Sequence, residues 1–327
     1  VFMSSRTGKS ASGFGPPERR ASGGGDLPGD ANAPPVFLIH RPARQTAPFV
    51  YNTPHSGRYY PPDLLAATHL TESALRSSED CMVDRLFAAA PTLGAPLFAV
   101  QYARAYVDCN RERHELDPAL FDGPLPADAN VRSDRVRAGL GTIPAVVAAN
   151  RAIYRRPIPI EDGLARIARV YEPTHDGLSA LLAETRESFG HVVLIDCHSM
   201  PSGRTFGRFA PRQRDDIVLG DCHGQSCAPE LSRAAAAILR ELGYQVALNI
   251  PYSGGYNTQH YGRPRFGMHA LQIEINRALY MDERSYNPTA RFERVAEDLA
   301  RFMERLHALP AALFRRPDGG IWRESAE

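Results

Sequence analysis

The chain has 327 residues, enough to bury a large core, and its 43% hydrophobic and 23% charged residues are those of an ordinary globular protein. A formal net charge of +1 gives no electrostatic reason to expect nucleic acid or an anionic membrane as partner, and no apolar run approaches the roughly 18 residues of a bilayer span. The cysteines Cys81, Cys109, Cys197, Cys222 and Cys227 are odd in number and lack disulfide-framework spacing, which points to a reduced, cytoplasmic compartment.

Residues 1 to about 35 are rich in Gly, Ser, Pro and Arg and cannot bury enough apolar surface to offset their ordering entropy. They are expected to be a disordered extension, with 36–327 as a single catalytic domain. Strands are predicted at 36–39 and 48–52, the second ending in the loop word Thr53-Pro-His-Ser-Gly57. Thr71 and Glu72 open a predicted helix through residue 90, with Leu75, Met82, Val83, Leu86 and Phe87 on its apolar face and Asp80 and Asp84 sharing one side. Short strands follow at 96–100 and 105–108. The stretch 117–144, rich in Pro, Gly and Asp, has the length of a functional loop. A long helical region over 161–189 is interrupted near Pro173. The near-continuous apolar run 191–196 suits a central strand covered on both faces. Then come a helix at 229–242, strands at 244–249 and 269–275, and a closing helix at 288–309 with Phe292, Val295, Leu299, Phe302 and Leu306 at helical spacing. Strands alternating with helices imply an α/β sandwich with a largely parallel or mixed sheet.

In open α/β sheets, ligands gather beyond the carboxyl ends of the strands. His55 and His198 both follow predicted strand ends, and Glu274 lies on a strand among Leu271, Ile273 and Ile275. A histidine ligand needs its second ring nitrogen oriented, and Asp196 is placed for that beside His198. Each residue also has a plainer reading: a capping or surface histidine, a paired structural carboxylate, a solvated helix face for Asp80 and Asp84. The segment Asp221-Cys-His-Gly-Gln-Ser-Cys227 falls short of a four-ligand metal clip. A Cys197–His198 nucleophile pair is disfavoured because adjacent strand residues point to opposite faces.

Read together, five words carry more. They are Thr53-Pro-His-Ser-Gly57, Arg104-Ala-Tyr-Val-Asp-Cys-Asn-Arg111, Leu194-Ile-Asp-Cys-His-Ser199, Pro251-Tyr-Ser-Gly-Gly255, and Leu271-Gln-Ile-Glu-Ile-Asn276 with Tyr280-Met-Asp282. In this order and spacing the chain resembles the N-formylglutamate amidohydrolase family, from about residue 50 to 309. The resemblance implies a three-layer α/β/α sandwich around a mixed, largely parallel sheet, as in the related zinc carboxypeptidases and aspartoacylases. It further implies one divalent metal ion, zinc in the related enzymes, held by His55, His198 and a carboxylate. The carboxypeptidase-type ligand position is Arg58 here, which cannot bind a cation, so Asp80 is expected as the third ligand with Glu79 as its rival. By the same resemblance Glu274 is the general base and Arg104 stabilises the oxyanion. Asn110 and Arg111 would grip a substrate carboxylate, with Gly254 and Gly255 letting backbone approach the substrate. Tyr256 and His260 are further pocket candidates. The implied activity is hydrolysis of an N-acyl acidic amino acid, N-formyl-L-glutamate above all, in histidine degradation. The expected partner is that small molecule, with no nucleic acid and no membrane. Another N-acyl amino acid or a small peptide as substrate, or a binding protein that keeps only the fold, are the alternatives. Pocket loops at 117–144 and 221–227 are expected to set specificity.

Overall fold

The computed structural model describes residue 30 and residues 33–202 and 215–314. Seven strands form its main sheet: β1 (Phe37–His40), β2 (Phe49–Thr53), β3 (Leu97–Val100), β4 (Val192–Met200), β5 (Ile217–Gly220), β6 (Val246–Leu248) and β7 (Met268–Asn276). Their spatial order is β1-β3-β2-β4-β7-β5-β6. The pairings β3–β2, β2–β4, β4–β7 and β5–β6 are parallel, whereas β1–β3 and β7–β5 are antiparallel. The sheet is thus mixed and mostly parallel, as expected.

Side-chain alternation along the strands divides the core into two layers. Val50, Val192, Leu194 and Ala270 pack on one side with Leu178, Leu181 and Leu182 of the helix Glu172–Phe189. Phe49, Tyr51, Val193, Ile195, Leu271 and Ile273 pack on the other. There they meet the short helix α1 (Val83–Leu86) and two longer ones beyond. With α2 as Glu172–Phe189, those are α3 (Pro229–Glu241) and α5 (Phe292–His307); α4 (Tyr256–Tyr261) is a short helix beside the site. Phe292, Val295, Leu299, Phe302 and Leu306 are each no more than 4% exposed. Burying each contributes about 1.5–3 kcal/mol, which explains why this stripe holds α5 to the sheet. Helices therefore cover both faces, giving the three-layer α/β/α sandwich. Among the described residues no helix is long and apolar enough to cross a membrane.

Two predicted elements differ, and one observed strand is new. The helix expected over 71–90 is broken into Glu72–Leu75, a 3₁₀ turn Arg76–Ser78 and α1, with Met82 in the left-handed region at φ 62°. Asp80 and Asp84 consequently do not share one helix face. Residues 105–108 are irregular, and β5 was not expected at all. Near Pro173 the helical path does change: Ile160–Arg166 passes into a π-turn at Ile167–Tyr171 before α2 begins. Proline at the second position of α2 has no N–H for the carbonyl four residues back, and the wider turn accommodates that loss. Most of the extension expected at 1–35 lies outside the described residues. Asp30 is described, and its carboxylate accepts a hydrogen bond from the Tyr59 hydroxyl.

Candidate active site

Strand register assembles the polar cluster. Along β4, Asp196 and His198 continue the face of Val192 and Leu194, so polar residues replace apolar ones at its carboxyl end. In the parallel β4–β7 ladder, Glu274 lies opposite His198 and Gln272 opposite Asp196. On the other flank, Asn52 of β2 lies opposite Asp196 and donates to it at 2.7 Å. His55 follows the end of β2. Asp80 arrives through the break before α1, its N–H bonded to the His55 carbonyl at 3.0 Å. An uninterrupted helix would have carried Asp80 along a helical face; the break delivers it to His55 instead.

His55, Asp80 and His198 are all buried, and one ligand atom from each lies within 4.8 Å of the others. Asp80 Oδ2 is 3.0 Å from His198 Nδ1 and 3.4 Å from His55 Nδ1. Both Nε2 atoms face outward onto carboxylates, His55 to Asp108 Oδ1 at 2.7 Å and His198 to Asp196 Oδ2 at 2.9 Å. Carboxylate partners at Nε2 fix the N–H there and leave the Nδ1 lone pairs aimed at Asp80. Among the described residues, buried His55 Nδ1 has no hydrogen-bond partner. Electrostatics agree with a site that draws positive charge. Burial raises the Asp80 carboxyl, but His198 and His55 outweigh it and hold the pKa well below the usual range. Burial opposes charge on His198, yet Asp196, Asp80 and Glu274 raise its pKa well above the ordinary value. An orphaned imidazole nitrogen in an N/O/N donor set with both rings oriented fits a divalent cation.

Glu79 points elsewhere. Its carboxylate is engaged by the Tyr60 hydroxyl, Arg76 and Cys81. Arg58 is half-exposed and pairs with Asp84. Glu274 sits beside His198, and Gln272 donates to its Oε1 at 2.9 Å. Burial lifts its carboxyl to about 7, with Asp80 adding to the rise and His198, Arg104 and Arg277 opposing it.

His55, Asp80, His198, Gln272 and Glu274 line a cavity of about 350 Å³, together with Arg104, Asn110, Arg111, Gly254 and Gly255. Arg104 Nε donates to Asp108 Oδ2 at 2.8 Å. Arg111 is held by the carbonyls of Leu140 and Asn110 at 2.8 and 2.7 Å, and burial pulls its pKa down to about 10. Asn110 lines the cavity and is also engaged within the protein. Its Nδ2 lies 3.2 Å from Asp196 and 3.0 Å from His198, and its Oδ1 accepts the Asn257 N–H. With both ends of the amide spent on the protein, it braces the His198–Asp196 pair. A Cβ on Gly255 would stand 2.4 Å from the Asn110 amide, and one on Gly254 2.7 Å from the Cys222 sulfur. Gly254 adopts φ +133°, a conformation L side chains rarely take. Tyr256 and His260 bond each other at 3.2 Å outside the cavity, and Tyr252 lines it in their stead.

Asp108, Gln272 and Arg277 escaped the sequence reading. Arg277 lies one residue beyond β7 and donates to Asp80 Oδ1 at 3.0 Å and to Ser199 at 3.1 Å. Asp108 stood inside a quoted word, and its spacing of four from Arg104 was the available signal. Of the two loops expected to shape the pocket, the first contributes Arg135, Leu140 and Pro144, whereas 221–227 contributes no lining residue. Cys197 is fully buried in the layer opposite His198, as strand alternation requires. Among the described residues, His55, Asp80 and His198 form the one metal-type cluster, and Cys222 and Cys227 are buried free thiols.

The fold and this constellation are those of an α/β/α hydrolase. The model of a family described as N-formylglutamate amidohydrolase matches residues 47–281, and the chain belongs to that family. It is 31% identical over 247 residues to an N-formylglutamate deformylase of Pseudomonas aeruginosa, covering 74% of this chain and 85% of that one. A counterpart from Pseudomonas putida is 28% identical over 239 residues, 72% of this chain and 82% of its own. The crystal structure of N-formylglutamate amidohydrolase from Ralstonia eutropha JMP134 superposes with a TM-score of 0.77 at 34% identity, covering 83% of this chain and 97% of that one.

Proposed function

We propose that this protein hydrolyses N-formyl-L-glutamate to formate and L-glutamate, a reaction of histidine degradation, at a site where His55, Asp80 and His198 hold one divalent metal ion, zinc by this donor set. The observation that carries the reading is the convergence of those three residues beside Glu274 in an arginine-lined cavity. When bound, the cation supplies a Lewis acid that acidifies water and polarises the amide carbonyl.

The protein's own residues do the rest. Glu274, with a proton affinity near neutrality, takes a proton from the attacking water as the oxygen–carbon bond forms. As the carbon–nitrogen bond breaks, the same carboxyl delivers that proton to the departing nitrogen, and formate and the free amine result. Arg104, fixed by Asp108, places positive charge where the carbonyl oxygen becomes negative. Arg111 offers its guanidinium to a substrate carboxylate, the pairing for which the planar fork is suited. Asn110 acts as a positioning residue for His198, and Gly254 and Gly255 allow the backbone to line the cavity closely.

Steady-state kinetics on N-formyl-L-glutamate, N-acetyl-L-aspartate and N-succinyl-L-glutamate test the assignment. The formyl substrate is expected to have the largest kcat/KM. Equal or better turnover of either alternative would replace the substrate while keeping the chemistry, and inertness toward all three would remove the enzymatic reading.

A further inference from the structure

Four arginines line the cavity: Arg104, Arg111, Arg135 and Arg277. Hydrogen bonds within the protein fix three of them. Arg104 is tied to Asp108, Arg277 to Asp80 and Ser199, and Arg111 to two backbone carbonyls. Arg135 is different. Among the described residues its guanidinium makes no hydrogen bond, and its one ion-pair partner, Glu115, lies 3.8 Å away. Its side chain is 32% exposed, open to the cavity without being free in solvent.

Its backbone, by contrast, is firmly set. It lies in the short helical turn Asp134–Arg137, capped by Ser133 through the Val136 N–H. The Arg135 carbonyl accepts from the Leu140 N–H at 2.8 Å, and the Leu140 carbonyl accepts from Arg111 Nε at 2.8 Å. Leu140 thus couples the two arginines, and Arg135 is close enough for its charge to disfavour the protonated form of Arg111. Beside them Leu140, Pro144, Val146 and Val147 form an apolar stretch of the lining.

A substrate with two carboxylates joined by a short methylene arm matches this arrangement: two cations on coupled backbone, with an apolar wall alongside. We infer that Arg135 is the specificity-determining residue that binds the side-chain carboxylate of the acyl amino acid, while Arg111 takes the α-carboxylate. The inference rests on the function proposed above. It goes beyond that reading in naming the group that distinguishes an acidic substrate from a neutral one of equal length. Losing a charge-assisted hydrogen bond costs about 10- to 100-fold in binding.

The test compares wild type, Arg135→Gln and Arg135→Lys on N-formyl-L-glutamate and N-formyl-L-norvaline, which keeps the arm and lacks the distal carboxylate. The ratio of the two kcat/KM values is expected to fall about 10- to 100-fold in Arg135→Gln, through KM and not kcat, with partial recovery in Arg135→Lys. An unchanged ratio overturns the assignment, as does an equal loss on both substrates, which is what a merely structural arginine would give. Calorimetric binding of glutarate to the same proteins reads the residue without turnover. Should wild type hydrolyse neither substrate, the proposed function fails, and glutarate decides alone. Weaker binding to Arg135→Gln by the same factor sustains the inference, and unchanged binding refutes it.

Discussion

Replacing Asp108 by Asn isolates the contact that connects the histidine site to Arg104. Asp108 Oδ1 receives His55 Nε2 at 2.7 Å and the Asn110 N–H at 2.9 Å, while Oδ2 receives Arg104 Nε at 2.8 Å. In the variant, the single amide oxygen must serve one side only. Two donors converge on the Oδ1 position, so the oxygen stays there and the new NH₂ faces the Arg104 guanidinium, donor against donor. His55 keeps its tautomer but loses a carboxylate partner, which weakens metal affinity about 10- to 100-fold. Arg104 loses a charge-assisted bond worth about 1.5–3 kcal/mol and is expected to leave its position. If Arg104 stabilises the oxyanion, kcat at saturating metal falls about 10²- to 10³-fold. Chelator-competition titration gives the first quantity and kinetics at saturating zinc the second, with Arg104→Ala as the control that lowers kcat and leaves metal affinity intact. A variant whose metal affinity and kcat both stay within about threefold of wild type, less than the weakest of these effects, would refute the reasoning.

Other substitutions separate the remaining roles. Glu274→Gln is expected to lower turnover by about 10²- to 10⁴-fold with metal content unchanged; simultaneous loss of metal would make Glu274 a ligand and not the base. Asp80→Asn should abolish stoichiometric metal binding, whereas Glu79→Gln, whose carboxylate serves Tyr60, Arg76 and Cys81, should retain it; the reverse pattern in metal analysis would exchange the two residues. Burial pulls the pKa values of His175 and His307 from 6.5 down to about 4, so both are neutral in the folded protein. Their contribution to stability is complete above pH 6.5 and lost as the pH falls toward 4, because the unfolded chain binds the protons more readily. Tm followed over that window should decline, less steeply in a His175→Gln, His307→Gln double variant; an identical slope in both proteins would contradict the assignment.

His198 was legible as a histidine just past the apolar run 191–196 and Glu274 as an acid among Leu271, Ile273 and Ile275, but their roles came from the five words read together, and the strand in fact runs on through His198 to Met200. The face on which Glu274 meets His198 was not legible, since it depends on the register of two strands whose facing residues are 76 positions apart in the chain. Asp80 was legible as a residue but not in its delivery: Leu75, Met82, Val83, Leu86 and Phe87 have helical spacing, yet the left-handed turn at Met82 breaks that helix. Strand β5 went unseen in the sequence. Its place in the sheet comes from pairing with β6 and β7. Asn110 was expected to grip a substrate carboxylate because the word that contains it resembles one in the related enzymes; contacts from Asp196, His198 and Asn257, all distant in sequence, also engage its amide.

Release of formate from N-formyl-L-glutamate by the purified chain, measured after chelation and again after adding back zinc, tests the central claim most directly. The expected result is activity that disappears with the metal and returns with one equivalent of zinc per chain. Full activity in the chelated protein, or no formate in either state, would contradict it.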